Sequence, residues 1–292
     1  MPVPAQNSDL GVAFITVSYG SGEALRNFLA SLRQFHGDSV PVVVVDNKPD
    51  DENVLAIAQS FGAAYLAQPL NPGYGAAMNA GVRYLEASDT SASFYFFCNP
   101  DVIFLEEAAA ALVHFIRSDA RIGAIAPRVL NEDGTTFASA RNIPSIGTGV
   151  GHALLSKIWP TNPWTRIYTS ASNYEKARDA GWLSGAAVMV RDDVFRSLNG
   201  WDESYFMYFE DVDLGWRIAN SGLRNRYEPS IALTHTGAHS TRKHKTSIER
   251  AMTESSIRFM RKRYPGPLRA PLRWTIVLGL KIRGWHRMRL TA

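Results

Sequence analysis

Glu210, Asp211 and Asp213 place three acidic side chains in four residues, directly behind the aromatic run Tyr205-Phe206-Met207-Tyr208-Phe209. Carboxylates set against aromatics stand at the wall of an apolar site, where the charged form is disfavoured and acid–base chemistry becomes accessible. Asp211 is the member expected to take a proton from an attacking hydroxyl, with the neighbouring acids raising its pKa further. Acidic residues in a first helical turn also serve the helix dipole, so capping is the competing reading. About 110 residues earlier stands a second acidic station, Asn99-Pro100-Asp101, closing the apolar run from Phe94 to Phe97. A lone carboxylate there can hold Mg²⁺ or Mn²⁺ while a diphosphate supplies further oxygens. The metal would neutralise charge on a departing nucleoside diphosphate. A plain turn would use the same three residues. Together the stations suggest a metal-held leaving group facing a general base.

Asp46 and Asn47 close the β-branched run from Val42 to Val45 and could accept hydrogen bonds from a nucleobase or ribose; a turn or cap is the alternative. The stretch from Asn71 to Gly81 spaces Gly73, Gly75 and Gly81 so that backbone N–H groups could approach phosphate or ribose, with Asn79 one turn in. A tight turn explains the glycines equally well. His235 and His239 precede the basic run Arg242-Lys243-His244-Lys245. One histidine could complete the metal site, and the basic run could meet diphosphate oxygens. A zinc pair is disfavoured, because no glutamate stands between the histidines and no cysteine is near. A dehydrogenase is disfavoured too, because Leu25 stands where the third glycine of a dinucleotide fingerprint belongs. A nucleotidyltransferase would want a basic glycine-rich loop, and Ser18 to Glu23 holds no Lys or Arg.

The elements that must position these residues alternate. Strands are predicted at Val12–Val17, Val40–Val45, Ala64–Leu66 and Phe94–Phe97, and helices over about 23–35, 52–61 and 75–86. That pattern implies an α/β fold with a parallel sheet and ligands at the carboxyl ends of its strands. Residues 131–180, rich in Gly, Pro, Asn, Ser and Trp, read as a long excursion over the sheet edge.

The 292 residues suffice for one large α/β domain. Cys98 is the single cysteine, which excludes an internal disulfide and suits a reducing compartment. The first nine residues show no basic-then-apolar export signature. The net charge of +4 conceals an asymmetry. Residues 257–292 hold ten Lys/Arg and no acid, against 21 basic and 27 acidic residues in the rest. From Leu268 to Leu290 the basic residues alternate with Trp274, Ile276, Val277, Leu278, Leu280, Ile282 and Trp285. The longest apolar run, Trp274 to Leu280, is far short of the ~20 residues that span a bilayer. A basic amphipathic helix lying on an anionic membrane surface fits the pattern, with docking on the protein body as the alternative. Nucleic acid is disfavoured as the partner by the apolar interleaving.

Taken together, these stations resemble an inverting family 2 glycosyltransferase with the GT-A fold. The resemblance rests on Val45-Asp46-Asn47, Asn71 to Asn79, Asn99-Pro100-Asp101, Leu183 to Ala187 and Phe206 to Asp213. More narrowly, Ala138 to Arg141, Trp159 to Trp164, Ala238 to Thr241 and Ala270 to Trp274 are similar to actinobacterial rhamnosyltransferases of cell-wall linker synthesis. The resemblance implies a Rossmann-like GT-A domain over residues 1–248 and a basic helical membrane-association segment over 249–292. It implies transfer of L-rhamnose from dTDP-L-rhamnose to polyprenyl-diphospho-N-acetylglucosamine at the cytoplasmic face of the plasma membrane. Asp211 would be the base and Asp101, with His235 or His239, the holder of Mg²⁺ or Mn²⁺. Asp46, Asn47, Gly73, Asn79 and Asn99 fall on the donor side; Gly185, Trp182, Arg141 and Asp202 fall on the acceptor side. Asn99 departs from the family's usual Asp-X-Asp by standing at its first position. A homo-oligomer is compatible with the sequence.

Overall fold

The computed structural model describes residues 10–49, 53–88, 90–144, 159, 161, 174–237 and 245–291. Four strands form a parallel block: β1 (Val12–Ser18), β2 (Val42–Asp46), β3 (Ala64–Ala67) and β4 (Phe94–Cys98), in the order β3-β2-β1-β4. Helices α1 (Gly22–His36), α2 (Val54–Ser60) and α3 (Tyr74–Ala87) connect them, as the alternation requires. β1, β2 and β4 are buried along their whole length, which is why their sequences are continuous apolar runs.

The sheet then continues where the sequence pattern gave no strand. Next come β5 (Val102–Phe104), α4 (Ala108–Ser118), β6 (Ile122–Asn131) and two short strands, β7 (Ala140–Arg141) and β8 (Arg178–Ala180). They are followed by β9 (Trp182–Leu183), β10 (Ala187–Arg191), α5 (Asp192–Ser197), α6 (Glu210–Asn220) and β11 (Arg224–His235). β10 runs antiparallel between β4 and β6, β11 lies parallel to β6, and β5 closes the edge antiparallel to β11. β8 pairs with β11, and β7 with β9 in a separate two-stranded sheet. Part of the expected excursion is therefore sheet: β6, β7 and β8 fall within or beside it. The segments 145–158 and 162–173 lie outside the described residues.

Alternate side chains of the central strands feed two apolar layers. Phe14, Phe28, Phe96 and Phe104 pack on one face; Ile15, Val45, Phe97 and Trp201 pack on the other. A third, smaller cluster joins Tyr205 and Val212 to Phe259 and Met260 of α7 (Lys245–Arg263). α8 (Ala270–Thr291) folds back on α7, with Gly284 against Thr253 and Arg273 donating to the Tyr264 carbonyl at 2.8 Å.

This topology carries the acidic stations to one place. β10 starts where β4 ends: Ala187 pairs with Cys98, and the Asn99 N–H donates to the Ala186 carbonyl at 2.9 Å. β11 ends opposite β5, His235 pairing with Val102, and the Thr236 N–H reaches the Asp101 carbonyl at 3.0 Å.

Candidate active site

The Glu210–Asp211 station is built on a strained turn. Tyr208 and Phe209 both adopt left-handed backbone conformations, φ +65° and +68°, just before α6 begins at Glu210. Two consecutive bulky residues in that region are costly and persist only where packing over-determines them. Asp211 accepts from its neighbour Val212 N–H through Oδ1 (2.8 Å) and from Gly185 N–H through Oδ2 (3.4 Å). The Gly185 carbonyl in turn accepts from the Tyr74 hydroxyl at 2.7 Å. Burial pushes the Asp211 carboxyl up to about 6, against the pull of those two N–H groups and of Arg141. Glu210 is raised well above the carboxylate range, by burial first and then by the charge of Asp211, and its Oε2 is buried without a hydrogen bond. Repulsion within the acidic triad is confined to the Glu210–Asp211 pair, and burial is the leading cause at both. Asp213 is neutralised by Arg217 Nε and Lys262 Nζ, each at 2.6 Å, and burial dominates at Asp211.

The second station pairs Asp101 with His235. Asp101 Oδ1 is inaccessible to solvent and satisfied by no hydrogen bond, and it lies 3.1 Å from His235 Nε2. Asn99 Nδ2 stands 3.4 Å from the same nitrogen, and Phe137 stacks on the imidazole. An orphaned carboxylate oxygen beside a ring nitrogen fits a divalent cation held by two side chains plus phosphate and water oxygens. No group of three or more His, Cys, Asp or Glu able to hold a metal occurs among the described residues. His239 and the basic residues Arg242 and Lys243 lie outside the described residues. Tyr74 feels the charges of both stations: its phenol is raised by burial first, then by Glu210, Cys98, Asp211 and Asp101.

On the expected donor side, Asp46 is fully buried and its oxygens accept from Lys48 N–H (3.0 Å) and Tyr65 Oη (3.1 Å). Asn47 donates weakly to the Gly73 carbonyl at 3.4 Å, while its Oδ1 is buried and unpartnered. Gly73, at φ +97°, makes its close approach to protein: an added Cβ would lie 2.2 Å from the Phe206 carbonyl oxygen. The glycine therefore lets the α3 start pack against the strained turn.

Asn79 and Asp202 have other partners than those expected. The Asn79 amide bonds both the N–H and the carbonyl of Trp201, and Glu203 as well. Burial would raise the Asp202 carboxyl, but Lys262 and Ser204 outweigh it and hold it at about 2. Both residues line a cavity of about 490 Å³ with Arg83, Glu203, Arg217 and Lys262, whose wall includes neither Asp101 nor Asp211. On the expected acceptor side, Trp182 donates to the Asn142 carbonyl (3.2 Å), and Arg141, exposed, lies over its ring at 5.9 Å. Two residues to which the sequence pattern assigned no role are Tyr74, which bonds Gly185, and Tyr65, whose contact with Asp46 comes from the β2–β3 pairing.

Residues 13–198 match the family model described as Glycosyl transferase family 2. The chain belongs to that family. It is similar to the N-acetylglucosaminyl-diphospho-decaprenol L-rhamnosyltransferase of Mycobacterium tuberculosis, at 36% identity over 92% of this chain and 90% of the relative. Rhamnosyltransferase WbbL of Escherichia coli K12 is 24% identical over 86% of this chain and 93% of its own. Among solved structures, a mannosyltransferase from Pyrobaculum calidifontis in complex with GDP-Man and Mn²⁺ superposes with a TM-score of 0.55 at 13% identity. That match covers 93% of this chain and 68% of the other. The fold is GT-A, and this family 2 member is a glycosyltransferase.

Proposed function

We propose that the chain transfers L-rhamnose from dTDP-L-rhamnose to polyprenyl-diphospho-N-acetylglucosamine with inversion at the anomeric carbon. The observation that carries the substrate assignment is the 36% identity to the mycobacterial rhamnosyltransferase over nearly the whole of both chains. The site supports the mechanism. Asp211, held by the Gly185 and Val212 N–H groups, accepts the proton of the acceptor hydroxyl as that oxygen bonds to the anomeric carbon. The bond from that carbon to the diphosphate oxygen breaks on the opposite face, so a β-linked donor gives an α-rhamnoside. A carboxyl near 6 suits the task, being ionised at neutral pH yet basic enough to take a proton.

Asp101 and His235 are the residues that would hold Mg²⁺ or Mn²⁺, which when bound neutralises the diphosphate leaving group. The imidazole nitrogen favours Mn²⁺ over the strictly oxygen-seeking Mg²⁺. Asp46 and Asn47 at the end of β2 face the nucleoside, and the free Asn47 Oδ1 is the acceptor available to it.

The reading extends to an anionic membrane surface, where a polyprenyl acceptor resides. α8 is apolar on two faces. Ile276 and Leu280 turn inward to the third cluster, while Trp274, Leu278, Ile282 and Trp285 are exposed on the other side. Their spacing of four, four and three residues keeps them within an arc of about 80° at about 100° per residue. Lys281 and Arg289 are exposed along the same face, and no acid interrupts the segment. No helix among the described residues is long and apolar enough to cross a membrane. The arrangement suits a helix lying in the interface.

The test is incubation of the protein with a panel of nucleotide sugars and a short-chain polyprenyl-diphospho-GlcNAc, followed by mass spectrometry and NMR of the product. A GlcNAc product extended by one α-linked deoxyhexose, from dTDP-L-rhamnose alone, is expected. Transfer from a different donor with dTDP-L-rhamnose inert would overturn the sugar assignment.

A further inference from the structure

Lys262 stands on the last turn of α7, within a basic run that looks, in sequence, like part of a membrane tail. The fold gives it another use. Its ammonium lies 2.6 Å from Asp213 Oδ1 and 2.7 Å from Asp202 Oδ2. Asp213 is fully buried, and its other oxygen takes Arg217 Nε at 2.6 Å. Asp202 is also tied locally, accepting from the Ser204 N–H and hydroxyl at 3.0 and 2.6 Å. One lysine therefore bridges both ends of the segment 202–213.

Everything unusual about the base station lies between those two anchors. The segment contains Tyr208 and Phe209 in left-handed conformations, and then Glu210 and Asp211. α7 grips the same segment at three further points. Ser255 Oγ donates to the Met207 carbonyl at 2.8 Å, Phe259 packs on Phe209 at 5.7 Å between ring centroids, and Phe259 and Met260 join Tyr205 and Val212 in one apolar cluster. A strained turn needs surroundings that leave it no alternative. A buried carboxylate such as Asp213 also needs its compensating cations, or the first turn of α6 must move to reach solvent.

We propose that Lys262 is a positioning residue of the transfer reaction: by clamping Asp202 to Asp213 it holds the strained turn that fixes where Asp211 points. The inference rests on the reading of Asp211 as the base. It makes α7 part of the catalytic machinery, whereas the exposed stripe of α8 serves the membrane. A displacement of about 1 Å at a catalytic group costs on the order of a hundredfold in rate, so a relaxed turn is read in turnover.

The experiment compares full-length wild type, Lys262→Met, Lys262→Arg and Asp211→Asn, using dTDP-L-rhamnose and a short-chain, water-soluble GlcNAc-diphosphate acceptor. Lys262→Met is expected to lower kcat by about tenfold to a hundredfold while the donor KM changes by less than about twofold. Lys262→Arg, whose planar fork can still bridge two carboxylates, is expected to recover most of kcat. A staple that matters only for stability would lower Tm and leave kcat intact in the folded fraction. A folded Lys262→Met protein with wild-type kcat therefore overturns the proposal. If that variant does not fold, Lys262→Met/Asp213→Asn removes the charge pair together and is assayed in its place, and wild-type kcat there overturns it equally. An active Asp211→Asn would instead overturn the assignment of the base; an inactive Asp211→Asn beside an unaltered Lys262→Met would overturn the clamp alone.

Discussion

Replacing Asp211 by Asn is expected to abolish transfer and, at neutral pH, to make the protein more stable. Burial raises this carboxyl from an ordinary 3.8 to about 6. At about 1.4 kcal/mol per pH unit, that difference amounts to about 3 kcal/mol of destabilisation carried by the ionised group at neutral pH. Below about pH 4 the carboxyl is protonated in both folded and unfolded chains, and the penalty vanishes. Between about pH 4 and 6 the unfolded chain releases the proton first, so stability falls as pH rises until the folded carboxyl has ionised too. Asn removes this dependence. It keeps one carbonyl oxygen for the Val212 N–H but presents an NH₂ where the Gly185 N–H needs an acceptor, a loss of about 1 kcal/mol. The net gain at pH 7.5 is about 2 kcal/mol, or roughly 4–8 °C in Tm for a chain of this size. Thermal unfolding followed by circular dichroism at pH 7.5 and pH 4.5 checks it. The gain should shrink or vanish at the lower pH. A lower Tm for the variant at pH 7.5, or a rise equal at both pH values, would refute the account of a desolvated base.

The same group sets the activity profile: kcat/KM of the wild type should rise with pH through an apparent value of about 6, read from initial rates. Asp101→Ala and His235→Ala should each lower turnover on the order of a hundredfold, and chelation of the wild type should do the same until Mn²⁺ is restored; calorimetric titration with Mn²⁺ should show weakened binding in both variants. Gly73→Ala forces a Cβ to 2.2 Å from the Phe206 carbonyl oxygen in a left-handed conformation, and should lower stability by about 3 kcal/mol or more by chemical denaturation. Trp274→Ser/Trp285→Ser should reduce cosedimentation with phosphatidylglycerol vesicles by about tenfold and leave turnover of the soluble acceptor unchanged.

The parallel half of the sheet was legible because its strands are doubly covered and so read as unbroken apolar runs. The antiparallel half was not. β6 contains Pro127, and β11 carries Arg224, Arg226, Glu228 and Pro229, which break any periodicity a single sequence can show. The acidic stations were legible for a different reason: a carboxylate at the end of an apolar strand, or after a run of aromatics, is expensive and rarely incidental. The bonds that tune them were hidden. Tyr74 reaches Gly185 across 111 positions, and no local pattern announces that contact. Local pattern also misled. Asn79 sits on the expected face of its helix, yet Trp201 consumes its amide from 122 residues away. Lys262 reads as one charge among many in a basic tail, and only packing reveals that it answers the buried Asp213.

The central claim is acceptor-dependent transfer with Asp211 as the base, and the most direct test is release of dTDP from dTDP-L-rhamnose. It is measured with and without a polyprenyl-diphospho-GlcNAc acceptor, for wild type and Asp211→Asn at pH 7.5. The account predicts release by the wild type only when acceptor is present, and loss of that release in a variant that is folded and no less stable. Undiminished acceptor-dependent release by Asp211→Asn would contradict it.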